Sequence, residues 1–333
     1  MSGGVDSSVA AYLLSGIGAD VTGVAFDFTG KDIITSAETV AKSIGIPFIS
    51  RDFKGRFAER VIRPFVDGYA SGITPNPCVI CNPAMKWSSL IDVADEMGIR
   101  FLATGHFVRT DGRRIIRGID RDKDQSYFLY RLKSRLIERS VFPVGGLTKP
   151  RCREIAREAG LIVHNRPESH EVCFFEKGQL TEFLRESGVS GSPGEIVDVD
   201  GNVLGRHEGW ASFTIGQRRG HGVASANGRL YVVDIEPGLA RITLGPREAA
   251  MHKNFEIGDT IFHENLDISE KRRFGIQIRH LGEEIGGEVH RTGDKTAVVN
   301  LDQAVFAPAP GQSTVFYNGE SVAGGGIIRN IFP

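Results

Sequence analysis

M-S-G-G-V-D-S-S-V-A-A-Y-L-L, residues 1 to 14, is a Ser/Gly turn that runs straight into an amphipathic helix. Two consecutive glycines, Gly3 and Gly4, permit close backbone approach, and the N–H groups of the first helical turn, Val5 included, point at an anion on the positive end of the helix dipole. Ser2, Ser7 and Ser8 add hydroxyl donors. Asp6 makes electrostatic sense beside a phosphate only if it holds a metal or orients backbone groups. The loop is neither a Walker loop nor a dinucleotide fingerprint, because G-K-[ST] and G-x-G-x-x-G are both missing from it. A plain capped helix start is the simpler alternative.

Outward from this loop, short β-branched runs alternate with amphipathic stretches: V-T-G-V-A-F-D-F (21 to 28), a helical 35 to 44, I-P-F-I-S-R-D-F (46 to 53), helical stretches within 54 to 70 and 86 to 98, then R-F-L-A-T-G-H-F (100 to 107). This βαβ alternation predicts an α/β parallel sheet with helices on both faces. Residues 111 to 190 read as mostly helical and basic. From Gly191 the texture changes to short period-2 strands bounded by turns, which suggests small β-barrels. The expected division is 1–190, 191–250 as a small connecting domain, and 251–333 as a C-terminal β-barrel.

The 333 residues are 41% hydrophobic and 24% charged, with 40 Lys+Arg against 41 Asp+Glu. That composition excludes disordered and collagen-like classes. No apolar run reaches the roughly 18 residues of a membrane helix, and Asp6 stands where a signal peptide would be apolar, so a cytoplasmic protein without a membrane partner is expected. Residues 111 to 170 hold 14 Lys+Arg and 8 Asp+Glu, while the remainder is acidic. Such a stretch, Lys149 and Arg151 included, suits a phosphate backbone; solvated helix faces are the plainer reading on charge alone. T-I-G-Q-R-R-G (214 to 220) suits either a loop toward RNA phosphates or an exposed turn.

Four cysteines in this length do not make a disulfide scaffold. T-P-N-P-C-V-I-C-N (74 to 82) places Cys78 and Cys81 in a C-x-x-C, and Cys173 lies in S-H-E-V-C-F-F. No second C-x-x-C completes a closed zinc site. Three thiols without a fourth partner suit either a persulfide relay or a cluster with one open iron. Cys152 reads as helix packing.

Taken together, S-G-G-V-D-S-S, T-P-N-P-x-x-x-C-N, A-T-G-H, K-D-Q-S-Y-F-L-Y, T-I-G-Q-R-R-G, P-G-Q-S and G-G-G-I-I resemble the MnmA-type tRNA 2-thiouridylases, PP-loop ATP pyrophosphatases, over essentially the whole chain. The resemblance implies a PP-loop domain, a small connecting domain and a β-barrel. It implies ATP with Mg2+ on Ser2 to Ser8, with Phe26 and Gly105 near the adenosine, and adenylylation of the 2-oxygen of the tRNA wobble uridine. It further implies a persulfide on Cys173 loaded by an upstream sulfur-donor protein, with Cys81 as the second catalytic cysteine. Asn76, Pro77 and Cys78 would lie against the flipped base. His106, Lys123, Asp124, Gln125, Arg279, His280 and Gln312 match positions that contact the tRNA anticodon stem-loop. A monomer is expected.

Position 78 is commonly Asp in that family, and here it is Cys. The replacement leads to the expectation that Cys78, Cys81 and Cys173 hold a [4Fe-4S] cluster whose free iron binds hydrosulfide; a tolerated replacement near the redox pair is the alternative. Because a phosphate loop in an open parallel sheet follows a strand, and nothing precedes Met1, either the reading frame starts internally or the first strand is lost. The second case would leave a non-catalytic tRNA-binding relic. Another PP-loop ATP-dependent ligase is a further alternative, although it has no use for paired thiols.

Overall fold

Val5, Val9, Ala10 and Ala11 are buried along one helix, α1 (Val5–Gly16), which ends where Gly18 adopts a positive φ of 80°. The structure, a computed structural model, describes residues 1–167, 172–225, 228–263 and 270–332. Ser169, His170 and Glu171 of the cysteine segment lie outside the described residues. By its contacts the chain divides into two units, one of Met1–Val61, Cys78–Cys173 and Tyr317–Ala323, the other of Ile62–Pro77, Phe174–Phe316 and Gly324–Pro333.

In the first unit β1 (Gly23–Asp27) pairs in parallel with β2 (Phe48–Asp52), in register from Gly23↔Phe48 to Asp27↔Asp52. The crossover between them is α2 (Ile34–Ile44), which stops at Gly45 because that residue's φ of 78° turns its N–H back onto Ala41 and Lys42. A second parallel pair joins β3 (Leu102–Ala103) to β6 (Ser140–Val141). The expected parallel architecture is thus present as two pairs. Helix α1 buries Val5, Val9 and Ala10 with Val40, Phe107, Val144, Cys152, Ile155 and Ala156, a core completed by the helix Lys149–Glu158.

The stretch 111 to 190 departs from the helical expectation. A hairpin of β4 (Val108–Thr110) and β5 (Ile115–Arg117) turns at Asp111-Gly112, where Asp111 Oδ1 accepts from the N–H groups of Arg113 and Arg114 at 2.9 and 2.8 Å and Gly112 has a φ of 85°. This is Asp-Gly turn chemistry, which overrides the surrounding pattern. Two 3-10 turns, Arg121–Lys123 and Ser126–Leu129, follow. Tyr127 and Tyr130 are buried, whereas Phe128 is half-buried.

The second unit holds a four-stranded sheet ordered β8 (Val203–His207), β7 (Gly194–Asp198), β10 (Arg241–Gly245), β9 (Tyr231–Glu236), with β7 and β10 parallel. Ile196, Phe213, Val232, Ile242 and Leu244 fill it. The strands that follow are β11 (Met251–Phe262), β12 (Arg272–Gln277), β13 (Ile285–Gly293), β14 (Thr296–Phe306), β15 (Ser313–Asn318) and β16 (Ser321–Ile331). Their order, β11-β14-β13-β12-β15-β16, closes into a barrel through a β11–β16 pairing. Closure removes the exposed edges that an open antiparallel sheet would carry. Phe255, Ile257, Val289, Val299, Val315 and Phe316 are fully buried inside. Among the described residues no helix is long and apolar enough to cross a membrane.

Phe255, with a relative exposure of 0%, sits in the barrel core. Phe255→Ala is expected to cost about 3–5 kcal/mol, by lost transfer energy and the cavity left behind. Urea denaturation followed by tryptophan-independent far-UV dichroism of the full chain reads the loss.

Candidate active site

The opening loop is shaped by its own serines. Gly3 has a φ of 66°, a conformation that a side chain would strain, and a Cβ there would meet Ser36 Cβ at 2.7 Å. Gly4 forms the N-cap of α1 in an extended conformation, and no side chain caps the helix. Ser7 and Ser8 both donate to the Gly4 carbonyl, at 3.2 and 2.8 Å, while Ser2 donates its N–H to Ser7 Oγ at 3.1 Å. The hydroxyls of Ser7 and Ser8 therefore hold the loop's shape, and the first-turn amides supply the anion-facing donors.

Three residues brace this loop from outside the motif. Lys149 Nζ donates to Asp6 Oδ1 at 2.6 Å, with the lysine side chain 10% exposed. Cys152, one turn further along the same helix, lies 3.7 Å from that oxygen, and burial together with the Asp6 charge pushes its thiol up to about 12. Arg166 Nη1 donates to the Gly3 carbonyl at 2.7 Å and to Ser36 Oγ at 2.8 Å. Gly105 packs directly on the loop backbone: a Cβ there would stand 2.5 Å from Ser7 N. Asp6 is thus an orienting carboxylate, and Lys149, expected among the RNA-facing cations, is a buried partner to it. Phe26 is buried on β1, its ring 5.8 Å from Phe28 and 5.4 Å from Phe53.

Cys78 and Cys81 lie on a helical turn, Pro77–Cys81, that widens into a π turn at Asn82–Trp87 before continuing as the helix Ser88–Glu96. Asn82 donates to the Phe128 carbonyl at 3.2 Å and Trp87 Nε1 to Ser140 Oγ at 2.7 Å, which fixes the turn. Cys81 is buried, Cys78 half-buried and Cys173 exposed. Burial pushes Cys81 up to about 12 and raises Cys78, against the pull of the Lys86 ammonium; both also feel the charge of Cys173. Cys173 is raised as well, since crowding around its sulfur outweighs Lys86, although the residue as a whole is exposed. The three thiols are electrostatic neighbours. Among the described residues, however, no three His, Cys, Asp or Glu side chains converge to hold a metal ion. The expected three-thiolate cluster site is not found among the described residues.

Asp124 corrects a second expectation. Its carboxylate is 4% exposed and accepts from Gly118 N at 2.9 Å, Ser126 Oγ at 2.6 Å and Arg117 Nη1 at 3.1 Å. Fully engaged inside the unit, it braces the K-D-Q segment instead of facing RNA. Arg117 in turn stacks 3.5 Å over the Tyr317 ring. Gln125 Oε1 accepts from Phe107 N at 2.9 Å, beside His106, whose Nδ1 meets Thr104 Oγ1 at 2.9 Å. Burial, and then Lys86, hold the His106 imidazole well below 6.5, so it is neutral. Lys123 is half-exposed on its 3-10 turn.

The second unit gathers the remaining residues. Gln312 Nε2 donates to the Thr74 carbonyl at 2.8 Å, and Thr74 N donates to Pro310 O at 2.8 Å. Gln312 therefore clamps the turn that leads to Asn76 and Pro77. Arg279 is exposed and donates to the Phe306 carbonyl, with His280 half-buried beside it. Lys86 and Arg166 are side chains at the site that sequence reading missed, and Lys149 is one that it assigned to RNA; only their position in the fold distinguishes them from other basic residues.

Residues 1–177 match the family model described as the tRNA methyl transferase HUP domain, 181–246 the tRNA methyl transferase PRC-barrel domain, and 252–328 the aminomethyltransferase beta-barrel domain. The chain is 39% identical to the tRNA-specific 2-thiouridylase MnmA of Thermus thermophilus, over 99% of this chain and 93% of that one. It is 37% identical to the MnmA of Clostridioides difficile, over 99% and 96%. With the MnmA of Nitratiruptor sp. it shares 39% identity over 98% and 97%.

Two outcomes follow from this geometry. Lys149→Met leaves the Asp6 carboxylate without its ammonium; stability falls by about 1.5–3 kcal/mol and ATP affinity, measured by calorimetry, by about 10-fold. Adding Asp6→Asn restores part of the stability. For His106, the unfolded chain takes the proton first, so its contribution is complete above about 6.5 and is lost as the pH falls below that value. His106→Gln is expected to flatten the loss of stability between about pH 7 and about pH 5, read by thermal unfolding.

Proposed function

Since the chain belongs to the family of MnmA tRNA-specific 2-thiouridylases, we propose that it installs sulfur at the 2-position of the wobble uridine of tRNA at the expense of ATP. It is a nucleotide-using transferase that modifies tRNA. What carries the mechanism is the uncapped Gly3-Gly4 start of α1, held by Asp6 and Lys149. ATP phosphates bind the first-turn amides, where the helix dipole and the glycine backbone favour anionic oxygen. The uridine 2-oxygen attacks the α-phosphorus, pyrophosphate leaves, and the oxygen becomes part of an AMP leaving group.

Exposure divides the work of the thiols. Cys173, open to solvent, is the thiol that an upstream sulfur-donor protein can reach and load as a persulfide. Its terminal sulfur attacks C2 and expels AMP. The buried Cys81 then attacks the Cys173 sulfur, forming a Cys81–Cys173 disulfide and releasing the thiocarbonyl; a reductant returns both thiols. Lys86 lowers the cost of the Cys81 thiolate against its burial. Mg2+ would screen the phosphate charges of bound ATP, and no carboxylate group assembled for it is present among the described residues. Asn76, Pro77 and Cys78 receive the flipped base, with His106, Lys123, Gln125, Arg279, His280 and Gln312 around the anticodon stem-loop. The protein works as a cytoplasmic monomer, with its catalytic part over 1–190, a connector over 191–250 and the barrel over 251–333.

Mass spectrometry of wobble-uridine 2-thiolation in a deletion strain tests this reading. Complementation with the wild type restores the modification. Cys81→Ser and Cys173→Ser reduce it to background, whereas Cys78→Asp retains it. Failure of the wild type in the strain and in a reaction with purified tRNA, ATP and sulfide would favour a non-catalytic tRNA binder.

A further inference from the structure

The 14 basic residues of 111 to 170 are largely consumed by partners within their own unit. Arg114 pairs with Asp111 at 2.7 Å, Arg139 with Asp95 at 2.7 Å, Arg151 with Glu154 at 2.5 Å and Lys149 with Asp6 at 2.6 Å. Arg121 holds Glu320 together with Arg109, which precedes the stretch. On one loop of the second unit, in contrast to Arg273 and Arg329 of the same unit, which pair with Asp302 and Asp259, the balance is reversed. Arg218, Arg219 and Arg229 are exposed, and among the described residues no Asp or Glu pairs with any of them. They line one cavity of about 340 Å3, with His221 and Ser225 in its wall.

The cavity is built by a pinned loop. Gly216 N donates to the Val232 carbonyl at 2.8 Å, and Val232 N donates back to the Gln217 carbonyl at 2.9 Å. Gln217 spans the turn, its Oε1 accepting from Thr214 N at 3.1 Å and its Nε2 donating to Arg219 O at 2.8 Å. His221 Nδ1 accepts from Val223 N at 3.3 Å, so Nε2 carries the proton that it gives to Arg218 O at 3.0 Å. Both imidazole nitrogens are spent on the backbone, and His221 is scaffold. The carbonyls of Arg218 and Arg219 are thereby occupied, and both residues line the cavity with exposed side chains.

We propose that this cavity is a phosphate-gripping site for the backbone of the substrate tRNA, separate from the residues that receive the target base; it rests on the reading of tRNA as substrate. Three arginines lining one opening, with no carboxylate paired to them among the described residues, select an anion, and a polynucleotide offers successive phosphates that match the planar fork of arginine. The contact reads no base and sets affinity and its dependence on salt.

Fluorescence anisotropy with labelled full-length substrate tRNA, titrated at several salt concentrations, tests it. Arg218→Ala/Arg219→Ala/Arg229→Ala is expected to weaken binding by about 10- to 100-fold near physiological salt and to reduce the slope of log K against log salt by about 2 to 3. The triple lysine variant keeps most of the slope. Arg114→Ala/Arg139→Ala/Arg151→Ala, taken from the compensated stretch, leaves the slope near that of the wild type. An unchanged slope in the first variant, equal losses in the alanine and lysine variants, or equal losses in the control would each overturn the inference. Absence of tRNA binding by the wild type would instead overturn the functional reading on which it rests.

Discussion

The contact between Lys149 and Asp6 joins residues 143 apart in sequence and fixes the loop proposed to hold ATP. A lysine in the first turn of a helix is unfavourable, because the dipole there is already positive. The carboxylate of Asp6 offsets it, and Asp120 Oδ2 accepts from the Lys149 backbone N–H at 2.8 Å. In exchange, Asp6 no longer presents a bare negative charge where phosphate must bind. One ion pair thus reconciles two charges that would each be misplaced alone. It also locks α1 against the helix Lys149–Glu158, so the core around Val9 and Ala156 and the phosphate loop form one mechanical body.

The proposed sulfur chemistry rests on a gradient of residue exposure. A thiol that must meet a protein donor has to be accessible, and one that resolves a disulfide inside the active site is better kept from solvent oxidants. Cys173 and Cys81 stand at opposite ends of that gradient, with Cys78 between. A cluster would need all three sulfurs to converge at metal-bonding distance. Cys78 adds a raised, half-buried thiol near Cys81.

Charge in this protein is compensated locally and unevenly. The basic stretch looks like an RNA footprint in one dimension, yet its arginines are mostly internal structural ties, with Arg117 and Asp124 the most enclosed of them at 12% and 4% side-chain exposure. Segment 317–323 contributes Glu320 and Tyr317 to the same network, although it lies two hundred residues further along the chain. Cations left for a polyanion sit instead on the loop around Arg218 and Arg229.

The phosphate-loop helix start, the β–α alternation through residue 107, the turn to β-rich texture near Gly191 and the cysteine pattern were legible in the sequence. Each depends on neighbours a few residues away: glycine conformational freedom, side-chain periodicity and spacing of reactive groups. The hairpin at Asp111-Gly112 was legible too, and was masked by the helical look of its surroundings. What a carboxylate or guanidinium does was not legible, because its partner is set by the fold: Asp6 finds Lys149, Asp95 finds Arg139, Glu320 finds Arg109. Sequence by itself determined the family and most of the elements outside residues 111 to 190. Tertiary structure alone decided which charges are spent and which are free, since electrostatic compensation acts through space over a few ångströms and is blind to distance along the chain.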